Sequence, residues 1–335
     1  MIPQRDLSWQ TQSWQEQLIN AIQSPEELLK LVALEPKDIN LSVSALGKFP
    51  LLVPRAFASR IRPGNKDDPL LRQVLNFSEE DQAAEGYGPD PLEESSSNPV
   101  KGLIRKYHNR ALLIVSRKCA INCRYCFRRE FPYDENNPNR NEWDQAFSYL
   151  AANPEIDEVV LSGGDPLAVS DKHLQWLVES LSRIDSIKFL RLHTRLPVVL
   201  PDRVTDTLLN ILGSCRFTTS VVLHCNHANE IDPAVSKAAH QLKQHSNFLL
   251  NQSVLLKGVN DDIDAQIGLQ KACADLGILP YYLHFLDPVT GTSHFEVTKK
   301  DALSLYNDMQ KHLSGYMLPK LMVEVPNTHS KQFLT

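Results

Sequence analysis

Residues 111–126, ALLIVSRKCAINCRYC, carry a β-branched apolar run directly into three cysteines, with only Ser116, Arg117 and Lys118 between. An apolar run of five residues, closed by serine and two basic residues, has the length and composition of a buried strand. The cysteines therefore belong to the loop that leaves that strand, and their spacing is C-x3-C-x2-C at Cys119, Cys123 and Cys126.

Working outward, the same rhythm of short apolar run and longer polar stretch recurs. EVVLSGG (158–164), KFLRLHT (188–194), TTSVVLHC (218–225), FLLNQSVLL (248–256) and LPYYLHFL (279–286) read as five further strands. Between them, DKHLQWLVESLSRI (171–184) and PDRVTDTLLNIL (201–212) place apolar residues three and four apart, the period of a helix lying on a sheet. Strand followed by helix, six times, defines an α/β fold with a parallel sheet, whose functional loops gather at the strand C-terminal ends. Six units are too few for a closed eight-stranded barrel, so the expectation is a partial six-stranded (β/α)6 barrel over residues 101–319. A seventh run, KLMVEVP (320–326), is an extra strand or lid within a C-terminal segment, 320–335.

Residues 1–100 read as helical and polar. Ser24-Pro25-Glu26-Glu27 has the form of a capping box with proline at the first helical position. From Tyr87 to Pro99, proline, glycine, serine and acid dominate, which reads as a linker.

The chain has 335 residues, 42% of them hydrophobic, enough for a sizeable core. Its net charge of -5 supplies no basic field for a phosphate backbone, so nucleic acid is not an expected partner. No apolar run reaches the roughly 20 residues that span a bilayer, and the first ten residues lack signal-peptide character. A cytoplasmic protein without a membrane partner is expected, and in that compartment six cysteines are ligands, catalysts or buried thiols, not a disulfide framework.

Three thiolates in one loop can hold three irons of a [4Fe–4S] cluster and leave the fourth open to another ligand. The competing reading is structural zinc, which needs a fourth donor such as His108 or His224. Ser162-Gly163-Gly164-Asp165 closes the second strand, where glycines let backbone approach a ligand, although the same four residues also suit an ordinary strand-to-helix turn.

The three-cysteine motif, with the aromatic Tyr125 before its last member, resembles that of the radical S-adenosylmethionine superfamily. The resemblance implies that the open iron binds S-adenosylmethionine, and that one electron from a donor such as flavodoxin or ferredoxin releases a 5'-deoxyadenosyl radical. It also implies that Ser162, Gly163, Gly164, Asp165, His224 and Gln252, all at strand ends, face that cofactor.

From about residue 50 to 331 the ordered blocks CFRRE, LSGGDPL, RLPVVLP, NQSVLLKGVND and PYYLHFLDP are similar to lysine 2,3-aminomutases. That family resemblance implies an isomerase that moves an amino group from carbon 2 to carbon 3 of free L-lysine, with pyridoxal phosphate as a second cofactor. By it, Lys331 is the lysine that joins the pyridoxal aldehyde. Taken bare, a lysine four residues from the end would be a solvated tail. The basic stretch 105–110 occupies the family's phosphate-binding place, with Tyr107 and Arg110 as best matches. Arg128 corresponds to the arginine that grips the substrate carboxylate, with Arg129 as the neighbouring alternative.

Asp287 and Glu324 correspond to the acids that receive the distal ammonium of lysine, and an acid there selects a cationic side chain. Glu324 stands where the family has aspartate; the other reading of an acid in an alternating strand is that it faces water. Asn327-Thr328-His329-Ser330 replaces a glycine-rich stretch. The chain ends at Thr335 without the cysteine-bearing extension of catabolic members, which resembles the short bacterial form that supplies (R)-β-lysine to an elongation factor P ligase. Open alternatives are an aminomutase acting on another amino acid or on a protein-attached lysyl group, and a non-catalytic Fe–S binding module.

Overall fold

A computed structural model of the chain describes residues 8–133, 136, 138–326, 328 and 330–335. Asn327 and His329, half of the stretch that replaces the glycines, lie outside the described residues.

Nine strands form one sheet in sequential order: β1 (Leu103–Ile104), β2 (Arg110–Ser116), β3 (Glu158–Gly163), β4 (Phe189–Thr194), β5 (Thr218–His224), β6 (Phe248–Val254), β7 (Leu279–His284), β8 (Lys320–Val323) and β9 (Gln332–Phe333). Strands β2 through β8 pair in parallel, while β1 and β9 are short antiparallel additions at the two edges. Among the described residues, one helix of nine to fourteen residues follows each of β2 through β7 in turn: α1 (Arg140–Ala152), α2 (Asp171–Leu181), α3 (Asp206–Ser214), α4 (Pro233–His245), α5 (Ile263–Asp275) and α6 (Lys299–His312), with a further single turn of helix, Leu196–Val199, between β4 and α3. The sheet does not close on itself among the described residues. This is the α/β partial barrel the strand rhythm predicts. The run KLMVEVP becomes a seventh parallel strand beside β7.

Side-chain alternation divides the sheet. Val159, Leu161, Leu190, Leu192, Val221 and Leu223 are buried in the large apolar core that also takes in Leu174, Leu177 and Leu208 from the helices. The alternate residues Leu112, Val160, Ser162, Arg191, His193, His224, Gln252, Tyr282 and His284 line a cavity on the other face. A period of two thus puts apolar packing outside and chemistry inside.

The predicted helix at 201–212 begins later than its apolar spacing suggests. Pro201–Arg203 is a 3-10 turn, and Thr205 caps α3 by accepting from Leu208 N. Residues 8–100 form helices of only four to seven residues joined by 3-10 turns. In the box at Ser24, Ser24 Oγ accepts from Glu27 N at 3.2 Å, but Glu27 turns its carboxylate to Arg55, so only half of the box closes. The stretch from Tyr87 to Pro99 is not a detached linker. Gly88 bridges to Val289, and Glu94 is buried against the cavity.

Two glycines set how closely β3 approaches the cysteine loop. A Cβ at Gly163, which has φ of +115°, would lie 2.6 Å from Ser116 O, and one at Gly164 would lie 2.5 Å from Lys118 O. Gly163→Ala is therefore expected to cost about 2 kcal/mol or more in urea unfolding, from backbone strain plus overpacking, and to lower iron uptake. Wild-type stability in that variant would contradict the close approach.

Candidate active site

The cysteine loop has almost no regular structure, and buried charges hold it. Arg124, fully buried, donates from Nε and Nη2 to the two oxygens of Glu80 at 2.7 and 2.5 Å. Arg129 donates to the same carboxylate at 2.9 Å and to Arg124 O at 3.1 Å. Between them in sequence, Arg128 faces the opposite way, into the cavity. It forms a two-pronged pair with Glu94 at 2.7 and 2.9 Å and reaches Ser162 Oγ at 3.2 Å. This separates the two arginines: Arg128 is the cavity residue, and Arg129 is a strut of the loop.

The thiols of Cys119, Cys123 and Cys126 are free and line one cavity. Burial, with repulsion from neighbouring thiols, pushes Cys126 up to about 11 and Cys119 well above its usual range, so metal must displace protons there. Among the described residues, no three His, Cys, Asp or Glu side chains converge on one point where a single metal ion would sit. His108, offered above as a fourth zinc ligand, is exposed at the opposite end of β2. The donors suit a cluster, whose irons are spread over several ångströms, better than one ion. Unpartnered buried nitrogens at His193 Nε2, Arg191 Nε and Arg195 Nε, on residues that line the same cavity, are groups a bound ligand would satisfy.

The SGGD turn supports this end of the cavity. Asp165 accepts from Leu167 N, Thr194 Oγ1, Arg195 N and Leu196 N at 3.0, 2.7, 2.8 and 3.0 Å, so its carboxylate latches the β3 turn to the end of β4. Gly163 O accepts from the hydroxyl of Tyr133 at 2.9 Å. His224 stacks on Tyr125 with ring centroids 5.6 Å apart and shares a 2.8 Å hydrogen bond with its hydroxyl. Burial, aided by the charge of Arg195, pushes His224 down to about 3, so the ring is neutral. Gln252, one strand further on, lines the same wall.

The remaining predicted residues gather in this same cavity. Tyr107 and Arg110 enter from the start of β2, the guanidinium 4.1 Å from the ring centroid. Lys106, beside them in the basic stretch, turns to two acids instead, Glu324 at 3.1 Å and Glu94 at 3.4 Å. Glu324 also pairs with Lys331, whose backbone is brought back by β9: Met322 faces Phe333 and Val323 faces Gln332. That pairing is why a lysine four residues from the end reaches a buried site.

The two acids titrate in opposite directions. Burial raises Glu324, but Lys331 and Lys106 outweigh it and hold the carboxyl at about 2. Asp287 is pushed up to about 7 by burial and by the negative Glu324.

Sequence reasoning missed Glu80, Glu94, Lys106, Arg191, His193, Arg195 and Glu230. Glu94 was hidden in a compositionally loose segment. Arg191 and His193 were within reach, because they sit in phase with Ser162 and His224 on the inward face of their strands.

Residues 113–262, from the first parallel strand and its three cysteines onward, match the family model of the Radical SAM superfamily. The chain is 45% identical to the L-lysine 2,3-aminomutase of Haemophilus influenzae over 99% of its own length and 98% of that protein's. It is 46% identical to the Escherichia coli protein of that name over 96% and 94% of the two chains, and 32% identical to that of Clostridium subterminale over 97% and 78%. The chain belongs to the lysine 2,3-aminomutase family of radical SAM isomerases, and the superfamily implies a [4Fe–4S] cluster and S-adenosylmethionine.

Glu80→Ala leaves two buried guanidinium groups unpaired. It is expected to cost about 3–5 kcal/mol in urea unfolding, and a loss below about 1 kcal/mol, the range of an exposed pair, would show that the loop does not depend on that carboxylate.

Proposed function

We propose that this protein converts free L-α-lysine to (R)-β-lysine, with pyridoxal phosphate as its second cofactor. What supports the reading is the charge arrangement of one cavity. It holds a buried arginine on the cysteine loop, two half-buried carboxylates past the far strands, and an amine beside them. A lysine zwitterion with a cationic side chain carries the complementary charges. The names of the relatives, each an L-lysine 2,3-aminomutase, agree with it.

Bound here, the cluster with S-adenosylmethionine supplies the radical that takes hydrogen from carbon 3, and pyridoxal phosphate supplies a π-system across which nitrogen moves. The protein's task is position. Cys119, Cys123 and Cys126 hold the cluster, while Ser162, the Gly163-Gly164 backbone, His224 and Gln252 border S-adenosylmethionine. Asp165 keeps the turn in place.

Lys331 is the amine that engages the pyridoxal aldehyde, and Tyr107 with Arg110 takes the ring and phosphate. Arg128 grips the substrate carboxylate through the guanidinium edge that Glu94 leaves free. Asp287 and Glu324 receive the distal ammonium. With pyridoxal phosphate bound, Lys331 would hold its aldehyde until the substrate amine replaced it there, leaving Glu324 open to the distal ammonium, and Lys106 would keep that carboxylate charged.

The product is suited to a ligase acting on elongation factor P, and a flavodoxin or ferredoxin is the fitting electron donor. A protein-attached lysyl group would place a peptide where Arg128 needs a free carboxylate.

Lys331→Ala should lose the pyridoxal absorbance and turnover while the iron–sulfur spectrum stays intact; turnover retained without added amines would remove Lys331 from this role. Asp287→Asn should raise KM for lysine by roughly thirtyfold or more, from the ~2 kcal/mol lower end for a buried charge pair, with cluster content unchanged. In the wild type, Asp287 is neutral below about 7 and must be anionic to hold an ammonium. KM for lysine should therefore fall as pH rises through 7, with a slope approaching roughly tenfold per pH unit on the acid side. A flat profile between pH 6 and 8 would exclude Asp287 as the ammonium partner.

A further inference from the structure

One buried pair belongs to none of these roles. Arg195 stands at the end of β4, where its backbone N–H is fixed by Asp165 at 2.8 Å. Its guanidinium is 6% exposed and donates from Nη1 to Cys123 Sγ at 2.7 Å. From Nη2 it donates to Gln73 Oε1 at 2.6 Å and Glu230 Oε2 at 2.9 Å. Glu230 is fully buried, and its other oxygen accepts from Asn226 N, His227 N and Gln73 Nε2 at 2.9, 3.1 and 3.2 Å. Phe57 and Tyr125 flank the guanidinium, 5.3 and 5.7 Å from ring centroid to its carbon. These hydrogen bonds and flanking rings hold the group beside the sulfur.

We propose that Arg195 is a positioning residue for the iron–sulfur cluster and that the Arg195–Glu230 pair sets the cluster's reduction potential through the sulfur of Cys123. When an external one-electron donor reduces the cluster, the electron stays on iron and sulfur, no proton moves, and the cluster with its three thiolates becomes more negative by one unit. A cation and an N–H donor held against a ligand sulfur favour that state in a dry environment. Glu230 opposes the same step from one residue further out. The two halves of the pair therefore act on the potential with opposite signs, which a merely structural pair does not do.

The test is a redox titration, followed by electron paramagnetic resonance, of the anaerobically reconstituted full-length protein. Iron and sulfide are counted in every sample. R195Q is expected to have a more negative midpoint than wild type, E230Q a more positive one, and R195K a value nearer wild type than R195Q. Each single variant leaves a buried charge or acceptor unpaired and can lose stability. The double variant R195Q/E230Q leaves no buried charge unmatched and is expected to lie below wild type, because the guanidinium touches the sulfur and the carboxylate does not. Single variants that shift in the same direction, or a double variant with the wild-type midpoint at full cluster content, would overturn the proposal. A wild-type protein with no reducible cluster would instead contradict the family's cofactor itself, a separate failure.

Discussion

The site depends on buried carboxylates that hold a loop of arginines and cysteines in place. Glu80 fixes Arg124 and Arg129, Glu94 fixes Arg128, and Glu230 fixes Arg195 against Cys123. The eleven residues from Cys119 to Arg129, with little backbone regularity, have no ladder of hydrogen bonds to define them, so ion pairs between well-packed elements hold them. Removing one partner of such a pair is costly because the other charge is left in a poor dielectric. The three carboxylates come from residues 80, 94 and 230, so the loop is assembled from distant parts of the chain.

That construction also joins the parts of the cavity. Arg128 touches both Glu94 and Ser162, and Glu94 lies near Lys106, which meets Glu324, which meets Lys331. Charges alternate in sign along this line from the turn beside the cluster loop to the chain end. Every member lines one cavity, and the neutral state of His224 and the raised Asp287 follow from burial there, reinforced by the charges of Arg195 and Glu324. A ligand set with a carboxylate, an ammonium and a sulfonium finds a matching polarity there.

Much of this was legible in the residues. Six strands of about six residues, each followed by a helical stretch, gave the partial barrel, and the position of the cysteines after the first one gave the site's end of the sheet. Contacts between distant segments were not legible. The stretch around Glu94 has the composition of a linker, and only tertiary burial makes it part of the site. Lys106 lies in the basic stretch read as the phosphate-binding place, but it turns to Glu94 and Glu324, because those acids lie close to it in space. Lys331 reads as a tail until β9 pairs with β8. The choice between Arg128 and Arg129 needed coordinates, since adjacent residues in a loop point to opposite sides.

The central claim is migration of an amino group on lysine within this cavity. The most direct measurement is anaerobic incubation of the reconstituted protein with S-adenosylmethionine, dithionite, pyridoxal phosphate and L-lysine, followed by mass spectrometry and chiral separation of the amino acid. The account predicts an isomer of unchanged mass with nitrogen on carbon 3 in the R configuration. Recovery of unaltered lysine from a protein with full cluster and pyridoxal content would contradict it.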